Sequence, residues 1–248
     1  MNRLPSPMQN YLLDALATPE LNRLLPDLEL ITVSAGDIIY EAGVLQKFVY
    51  FPTTSVITLL YMMEDGTSAE IAAIGNEGIV GISLFMGGAT TPNFAIVQRG
   101  GYAYRLKGRL LKMEFDRAGP VLRLLLRYTQ ALITQMTQIA ICNRHHSVEQ
   151  QLCRWLLQNF DRESSNSLVM TQQLIANTLG IRRERITEAA SALQKAGLIS
   201  YSRGSIEITD RSGLEKKVCE CYQLIKNEFD QLKKVFPNNS TPEMKSSI

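Results

Sequence analysis

The sequence predicts an α+β protein in three successive parts: a β-rich amino-terminal domain, one long helix, and a small helical domain closed by a hairpin. Three observations carry this prediction. Short apolar or β-branched runs, broken by turn signals, fill residues 28–106. A helical period sets in after Gly119-Pro120. Two helical patterns separated by Gly180, then a hairpin pattern, occupy residues 171–209.

Ser6-Pro7 and Thr18-Pro19-Glu20 read as helix starts, each an N-cap hydroxyl followed by proline. They predict short helices near 7–16 and 19–25. The strand candidates are Leu28–Val33, Ile38–Tyr40, Phe48–Phe51, Ser55–Met62, Ser68–Ile74, Asn93–Gln98 and Tyr102–Leu106. Strands of this length and spacing argue for a small antiparallel sandwich or barrel. Asp65-Gly66, between two alternating runs, is a hairpin signal. The amino-terminal domain is assigned to 1–118.

Residues 119–146 are assigned to a long helix and a hinge. Leu122, Leu125, Thr129, Leu132, Met136, Ile139 and Asn143 recur at alternating steps of three and four, a heptad seam. A lone helix in a core has a wider stripe, which Leu124, Leu126 and Ile133 would supply. The seam is read as a homodimer interface. Asn143, Arg144, His145 and His146 interrupt the apolar pattern and form the expected hinge. Ser147 then caps a helix from Val148 to about Phe160, with Glu149 and Gln150 in its first turn. Residues 161–167 read as a polar loop. One amphipathic helix is predicted for 212–236, with Leu214, Val218, Cys221, Ile225, Phe229, Leu232 and Phe236 on one face. The tail, 237–248, reads as disordered.

Apolar residues make up 45% and charged residues 20%, the balance of a soluble globular protein. No run of about 18 uncharged apolar residues predicts a membrane span. Residues 1–9 lack the pattern of a signal peptide, so a cytoplasmic protein is expected. The net charge of +2 conceals a polarity. Residues 1–98 carry three basic residues (Arg3, Arg23 and Lys47) against ten acidic ones, a net of −7, and the remainder stands at +9. A basic second half suits a polyanionic partner, although solvated helix faces would give the same count.

The informative stretch begins at Leu168. Thr171 can cap a short helix, Gln172–Leu179, and Gly180 supplies the positive φ that ends it. A second helix is predicted from about Arg182 to Lys195. Ile175, Leu179, Ile186, Ala190 and Leu193 can bury together, and Ala176 is small where the two helices would cross. This is the pattern of a helix-turn-helix. Arg182, Arg183, Glu184, Arg185 and Thr187 stand in the first two turns of the second helix, the end that enters a major groove. Arginine can bond bidentately to guanine, and glutamate can accept from cytosine. Thr171 and Gln172 join them as DNA-contacting candidates. Ordinary solvated charge would explain one Arg-Glu pair, but less well three arginines after this packing pattern. Leu198–Tyr201 and Ile206–Thr209 form a hairpin that follows directly, as a wing does, with Arg203 at its tip for a phosphate contact. The winged helix-turn-helix is assigned to 147–211.

In architecture, residues 25–210 resemble the Crp/Fnr superfamily of bacterial transcription regulators. The resemblance is strongest at 147–210, where Cys153-Arg154-Trp155-Leu156-Leu157, the Gly180 turn, Arg183-Glu184 and the wing fall in family order. It implies an amino-terminal cyclic-nucleotide-binding-like β-roll, a homodimer, and a palindromic double-stranded DNA operator. It also implies RNA polymerase as a further partner. It implies that Arg183 and Glu184 read bases. A basic residue that often follows one turn later is replaced by Glu188, so the operator is expected to differ from the family's best-known site.

The same resemblance exposes a gap in the sensor domain. The family's phosphate cassette needs Gly-Glu and then an arginine. Gly81 fits, but Ile82 stands at the glutamate and Asn93 near the arginine. A buried cyclic phosphate would then lack its cation, so cyclic AMP is not expected. Glu77 and Arg99 would substitute only by an unusual route, and the effector stays unknown. The family's iron–sulfur branch needs cysteines near the amino terminus, and none precedes Cys142. Cys142 and Cys153 lie in apolar helical contexts that suit a small hydrophobe. Cys219 and Cys221 would point to different faces of one helix. No metal and no cofactor are therefore expected. Two other readings remain: a sensor with a non-standard pocket, and an enzyme on the β-roll. The enzyme reading lacks a nucleophile elbow or phosphate loop.

Overall fold

The computed structural model describes residues 4–162, 167–202 and 204–236. The chain divides into two compact units. One comprises the residues up to Leu59, Ala73–Ile133 and the chain from Glu228; the other comprises Leu60–Ala72 and Thr134–Asn227.

In the first unit, Ser6 caps a 3-10 turn, Pro7–Gln9, its Oγ accepting from the Met8 amide at 3.3 Å. The expected helix over 7–16 is broken at Asn10, whose extended backbone starts α1 (Tyr11–Asp14). Buried Asn10 earns its place through three roles. Its Oδ1 caps α1, while its Nδ2 donates to the carbonyls of Pro52 at 2.9 Å and Gly78 at 2.8 Å. Helix α2 (Thr18–Leu24) begins one residue earlier than its expected cap: Ala17 is the N-cap, and Thr18 is already helical.

The strands follow the sequence reading closely. They are β1 (Glu29–Val33), β2 (Ile38–Tyr40), β3 (Phe48–Pro52), β4 (Val56–Met62) and β5 (Ser68–Ile74). After α3 (Ser83–Met86) come β6 (Phe94–Arg99) and β7 (Gly101–Lys107). One sheet has the order β1-β7-β3, antiparallel throughout, with Glu29 opposite Arg105 and Tyr50 opposite Arg105 from the other side. The other has the order β2-β6-β4-β5. Val49, Phe51, Ile57, Ala95, Val97 and Leu106 are buried from these strands. The Asp65-Gly66 turn forms as expected, with Gly66 at φ +81 and the Met63 amide donating to the Thr67 carbonyl at 2.8 Å.

Helix α4 (Gly108–Asp116) precedes α5 (Pro120–His145). Tyr128 of α5 is fully buried and donates to the Ile79 carbonyl at 2.9 Å. It lies against Gly78, where a Cβ would come within 2.5 Å of its hydroxyl. The expected heptad seam needs correction. Leu125, Thr129, Leu132 and Ile139 are already buried within a single chain, Leu122 and Met136 are half-buried, and Asn143 is exposed. Leu124, Tyr128 and Ala131 are buried beside them, so the stripe is the wide face of a core helix. The large apolar residues left exposed on α5 are Leu126, Ile133 and Ile141, at 50%, 50% and 42%.

The hinge is also shorter than expected. Asn143, Arg144 and His145 are helical, and only His146 and Ser147 separate α5 from α6 (Val148–Phe160). Ser147 forms a capping box: its Oγ accepts from the Gln150 amide, and Gln150 Oε1 accepts from the Ser147 amide at 3.1 Å.

The second unit continues with β8 (Ser167–Val169), α7 (Gln172–Leu179), α8 (Arg183–Lys195), β9 (Ile199–Ser202) and β10 (Ser205–Ile208). Its core gathers Trp155, Leu156, Leu157, Ile186, Leu193 and Ile206. Strand β8, not anticipated, pairs antiparallel with β10, giving a sheet of order β8-β10-β9. The expected single helix over 212–236 is two helices, α9 (Arg211–Lys217) and α10 (Glu220–Val235). Val218 separates them with extended backbone, φ −67 and ψ 154. In the first unit, the end of α10 is held by an Arg127–Glu228 ion pair and by Tyr11, whose hydroxyl donates to the Phe236 carbonyl. The tail expected to be disordered, 237–248, lies outside the described residues.

Candidate nucleic-acid interface

Thr171 is the cap expected for α7, its Oγ1 accepting from the Leu174 amide at 3.2 Å. Gly180 ends the helix at φ +66, and the Ile181 amide closes the turn onto the Ala176 carbonyl at 3.0 Å. The same glycine lies close to the β5 backbone. A Cβ there would meet the Ser68 carbonyl oxygen and Ala69 Cβ, each at 3.3 Å. Arg182, expected as about the first helical residue, is instead the N-cap of α8, which begins one residue later at Arg183, and its side chain makes no cap hydrogen bond. Ile175, Ala176, Leu179, Ile186, Ala190 and Leu193 are all buried, as the spacing predicted.

One contact between α7 and α8 was not legible in advance. Thr187 Oγ1 lies 2.7 Å from Gln172 Oε1 and 3.0 Å from the Arg183 carbonyl oxygen. Its one proton serves one acceptor at a time, so Gln172 and Thr187 brace each other as well as facing solvent. Gln194 Oε1 accepts from the Tyr201 amide at 3.1 Å, fastening α8 to β9. Arg203, expected at the tip of the β9–β10 hairpin, lies outside the described residues.

Arg182, Arg183, Glu184, Arg185, Thr187 and Glu188 are all exposed. Among the described residues, no ion pair engages the three arginines. Cations at a helix N-terminus oppose the helix dipole. With Glu184 as the acid of the same first turn, the three give the start of α8 an exposed, net cationic surface. Residues 150–217 match the family model described as the Crp-like helix-turn-helix domain. This segment is a Crp-like helix-turn-helix domain.

The Crp-like domain sits in a chain whose fold is shared with solved Crp/Fnr structures. A protein from Eubacterium rectale ATCC 33656 assigned to that family superposes with a TM-score of 0.68 at 19% identity, covering 87% of this chain and 99% of its own. FixK2 from Bradyrhizobium japonicum gives 0.65 at 16% identity, covering 77% and 98%. CLP from Xanthomonas campestris, a c-di-GMP-responsive global regulator, gives 0.63 at 15% identity, covering 77% and 99%. A comparison with curated proteins returns no match.

In the amino-terminal domain, the residues at the expected phosphate-cassette positions form a neutral network. Gly81 has φ +99, and a Cβ there would lie 3.2 Å from the Phe48 carbonyl oxygen. Ile82 leads into α3. Asn93 Nδ2 donates to the Tyr40 hydroxyl at 3.1 Å. Ser83 donates to Gln46 Oε1 at 2.8 Å, and Gln46 Nε2 donates to Thr91 Oγ1 at 3.1 Å. Burial pushes the Tyr40 hydroxyl pKa up, so it stays neutral too. Arg99 and Glu77 are engaged elsewhere, Arg99 donating to the Thr54 carbonyl at 3.1 Å and Glu77 accepting from the Gly75 amide at 3.1 Å.

Gly180→Ala tests the geometry of the α7–α8 turn. It forces a side chain into left-handed backbone and against Ser68 and Ala69, for an expected cost of about 1–2 kcal/mol from the backbone alone. Urea denaturation should show that loss. An unchanged midpoint would mean that the turn is not held as described.

Proposed function

We propose that the protein is a sequence-specific regulator of transcription that binds double-stranded DNA as a homodimer in the cytoplasm. The carrying observation is the set of three unpaired arginines at the N-terminus of α8, in a Crp-like domain. The amino-terminal end of such a helix is the part that reaches base edges. In this reading Arg183 and Glu184 read bases, Arg182 and Arg185 serve base or phosphate, and Thr171 and Gln172 flank them at the start of α7. The wing carries Arg203 as a phosphate ligand. The operator is palindromic, with half-sites about one helical turn apart.

The homodimer reading keeps α5 but moves its interface. Leu126 and Ile133 are seven residues apart, two helical turns, and half-exposed on the face opposite the buried stripe. Ala140 and Ile141, both exposed, continue that face towards the end of the helix. Two copies packed along this line remove from water apolar surface that one copy leaves bare. The hinge at His146–Ser147 is where an effector-driven change would act, because it joins α5 to the Crp-like domain.

The sensor domain in this reading does not take cyclic AMP. The place that needs a cation holds Asn93, Gln46, Ser83 and Tyr40, neutral groups already bonded to one another or to their neighbours. Burying a phosphate there costs its hydration with no charge in return.

Three measurements test these points. Arg183→Ala should lose about 1–3 kcal/mol at one base pair of each half-site of a selected operator, relaxing preference there. Retained base discrimination would remove α8 from the reading role. Ile133→Glu should give folded monomers by sedimentation, whereas Leu132→Glu, at a buried position, should unfold the first unit instead. A stable Ile133→Glu dimer would place the interface elsewhere. Calorimetric titration with cyclic AMP should show no heat at micromolar concentrations; saturable binding there would mean that the neutral network rearranges.

A further inference from the structure

A buried cluster lies away from the DNA-facing surface. Cys142 stands in the last turn of α5, and His146 follows just past the helix end, its amide donating to the Cys142 carbonyl at 3.1 Å. The break at Val218 brings Cys219 and Cys221 to meet them. In one continuous helix these two thiols would diverge, but Cys219 precedes α10 and is free of that geometry. All three cysteines are buried.

The three sulfurs and a ring nitrogen of His146 all lie within 4.8 Å of one another. Cys142 Sγ is 3.6 Å from Cys219 Sγ, and Cys221 Sγ is 3.6 Å from His146 Nδ1. A tetrahedral zinc ion, with sulfur at about 2.3 Å and nitrogen at about 2.0–2.1 Å, sets sulfur–sulfur edges near ~3.8 Å and sulfur–nitrogen edges near ~3.5 Å. Two of the donor separations match the edges of a single four-coordinate site, and all the donors lie within 4.8 Å of one another. An iron–sulfur cluster would spread its ligands around more than one iron.

The surroundings fit as well. His146 Nε2 lies 3.4 Å from Glu220 Oε1, so a carboxylate orients the ring with Nδ1 turned to the sulfurs. Carboxylates and carbonyls behind ligating histidines do this in metal sites. Three thiolates around a divalent ion leave one excess negative charge. Arg154, fully buried, answers it: its Nε donates to Cys142 Sγ at 3.3 Å. The guanidinium also donates to Gln158 Oε1 at 2.9 Å and lies near the buried carboxyl of Glu70, and a metal thiolate would give it a further anionic neighbour.

We propose that Cys142, His146, Cys219 and Cys221 bind one zinc-class divalent ion, which fastens the end of α5 to the α9–α10 break. This replaces the expectations, drawn from the sequence, that no metal is bound and that Cys142 acts as a small hydrophobe.

The test uses the full chain, untagged and purified without chelator. Elemental analysis should find close to one zinc per chain. Cys221→Ser and His146→Ala should each weaken zinc binding at least tenfold. Cys153→Ser, which removes a buried thiol outside the cluster, should keep full stoichiometry. Because ligand variants can fail to fold, the wild-type chain is also stripped and reloaded with cobalt(II). Tetrahedral thiolate coordination should give intense visible bands and near-ultraviolet charge transfer, both abolished by added zinc. The proposal is overturned if stripped wild-type protein binds neither metal. It is equally overturned by iron with acid-labile sulfide, or by a Cys142–Cys219 disulfide in freshly purified protein.

Discussion

A helix has one circumference to divide among its neighbours, and α5 divides its own three ways. Over 26 residues, about 39 Å at the α-helical rise, one face is covered by the chain itself, another is left bare, and the last turn ends in a cluster of thiols. Its placement rests on Tyr128. That ring fills the space that any side chain at Gly78 would take, and its hydroxyl is bonded to the next residue's carbonyl. With Tyr128 fixed, the 3.6-residue period decides everything else along the helix. Leu124, Leu125, Ala131 and Leu132 turn inward, and Leu126 and Ile133 turn outward.

The Crp-like domain depends on a different kind of economy. Its core is filled from α6, whose entry is fixed by the Ser147–Gln150 capping box, so α7 and α8 have an ordered surface to pack on. Small residues, Ala176 of α7 and Ala189 and Ala190 of α8, are buried in that core. The arginines of α8 contribute nothing to that packing and oppose the dipole of their own helix. Local stability and ligand binding pull in opposite directions here, as is common at binding sites.

Much of this was legible in the sequence, for reasons that differ by element. The strands of the amino-terminal domain were readable because turn residues such as Asp65-Gly66 separate short runs of β-branched and aromatic side chains. The α7–Gly180–α8 unit was readable because cap, positive-φ glycine and buried spacing agree with one another. The phase of α5 was not. Leucines at steps of three and four announce a stripe, but not whether a second copy or the chain's own body covers it. The α9–α10 break lacked the usual punctuation, since Val218 is neither glycine nor proline and its extended backbone is a tertiary choice. The cysteine cluster was the least accessible of all. Its members are 77 residues apart, and only the break brings them together. Asn10 was also silent, because a buried asparagine bonded to residues 42 and 68 positions away leaves no local pattern.

The closing contacts of the first unit bear on how the chain is made. Tyr11 reaches the carbonyl of Leu232 across 221 residues, and Arg127 meets Glu228 across 101. The first unit therefore holds a piece that is synthesised after residues 134–227 of the second unit. At about 5–20 residues per second, its sheets and most of α5 wait on the order of ten seconds for the end of α10. During that interval the surface later covered by α10 is bare to solvent, and the Crp-like sequence emerges in between. Nascent chains of this protein pass through a stage in which the domain made first is the one finished last.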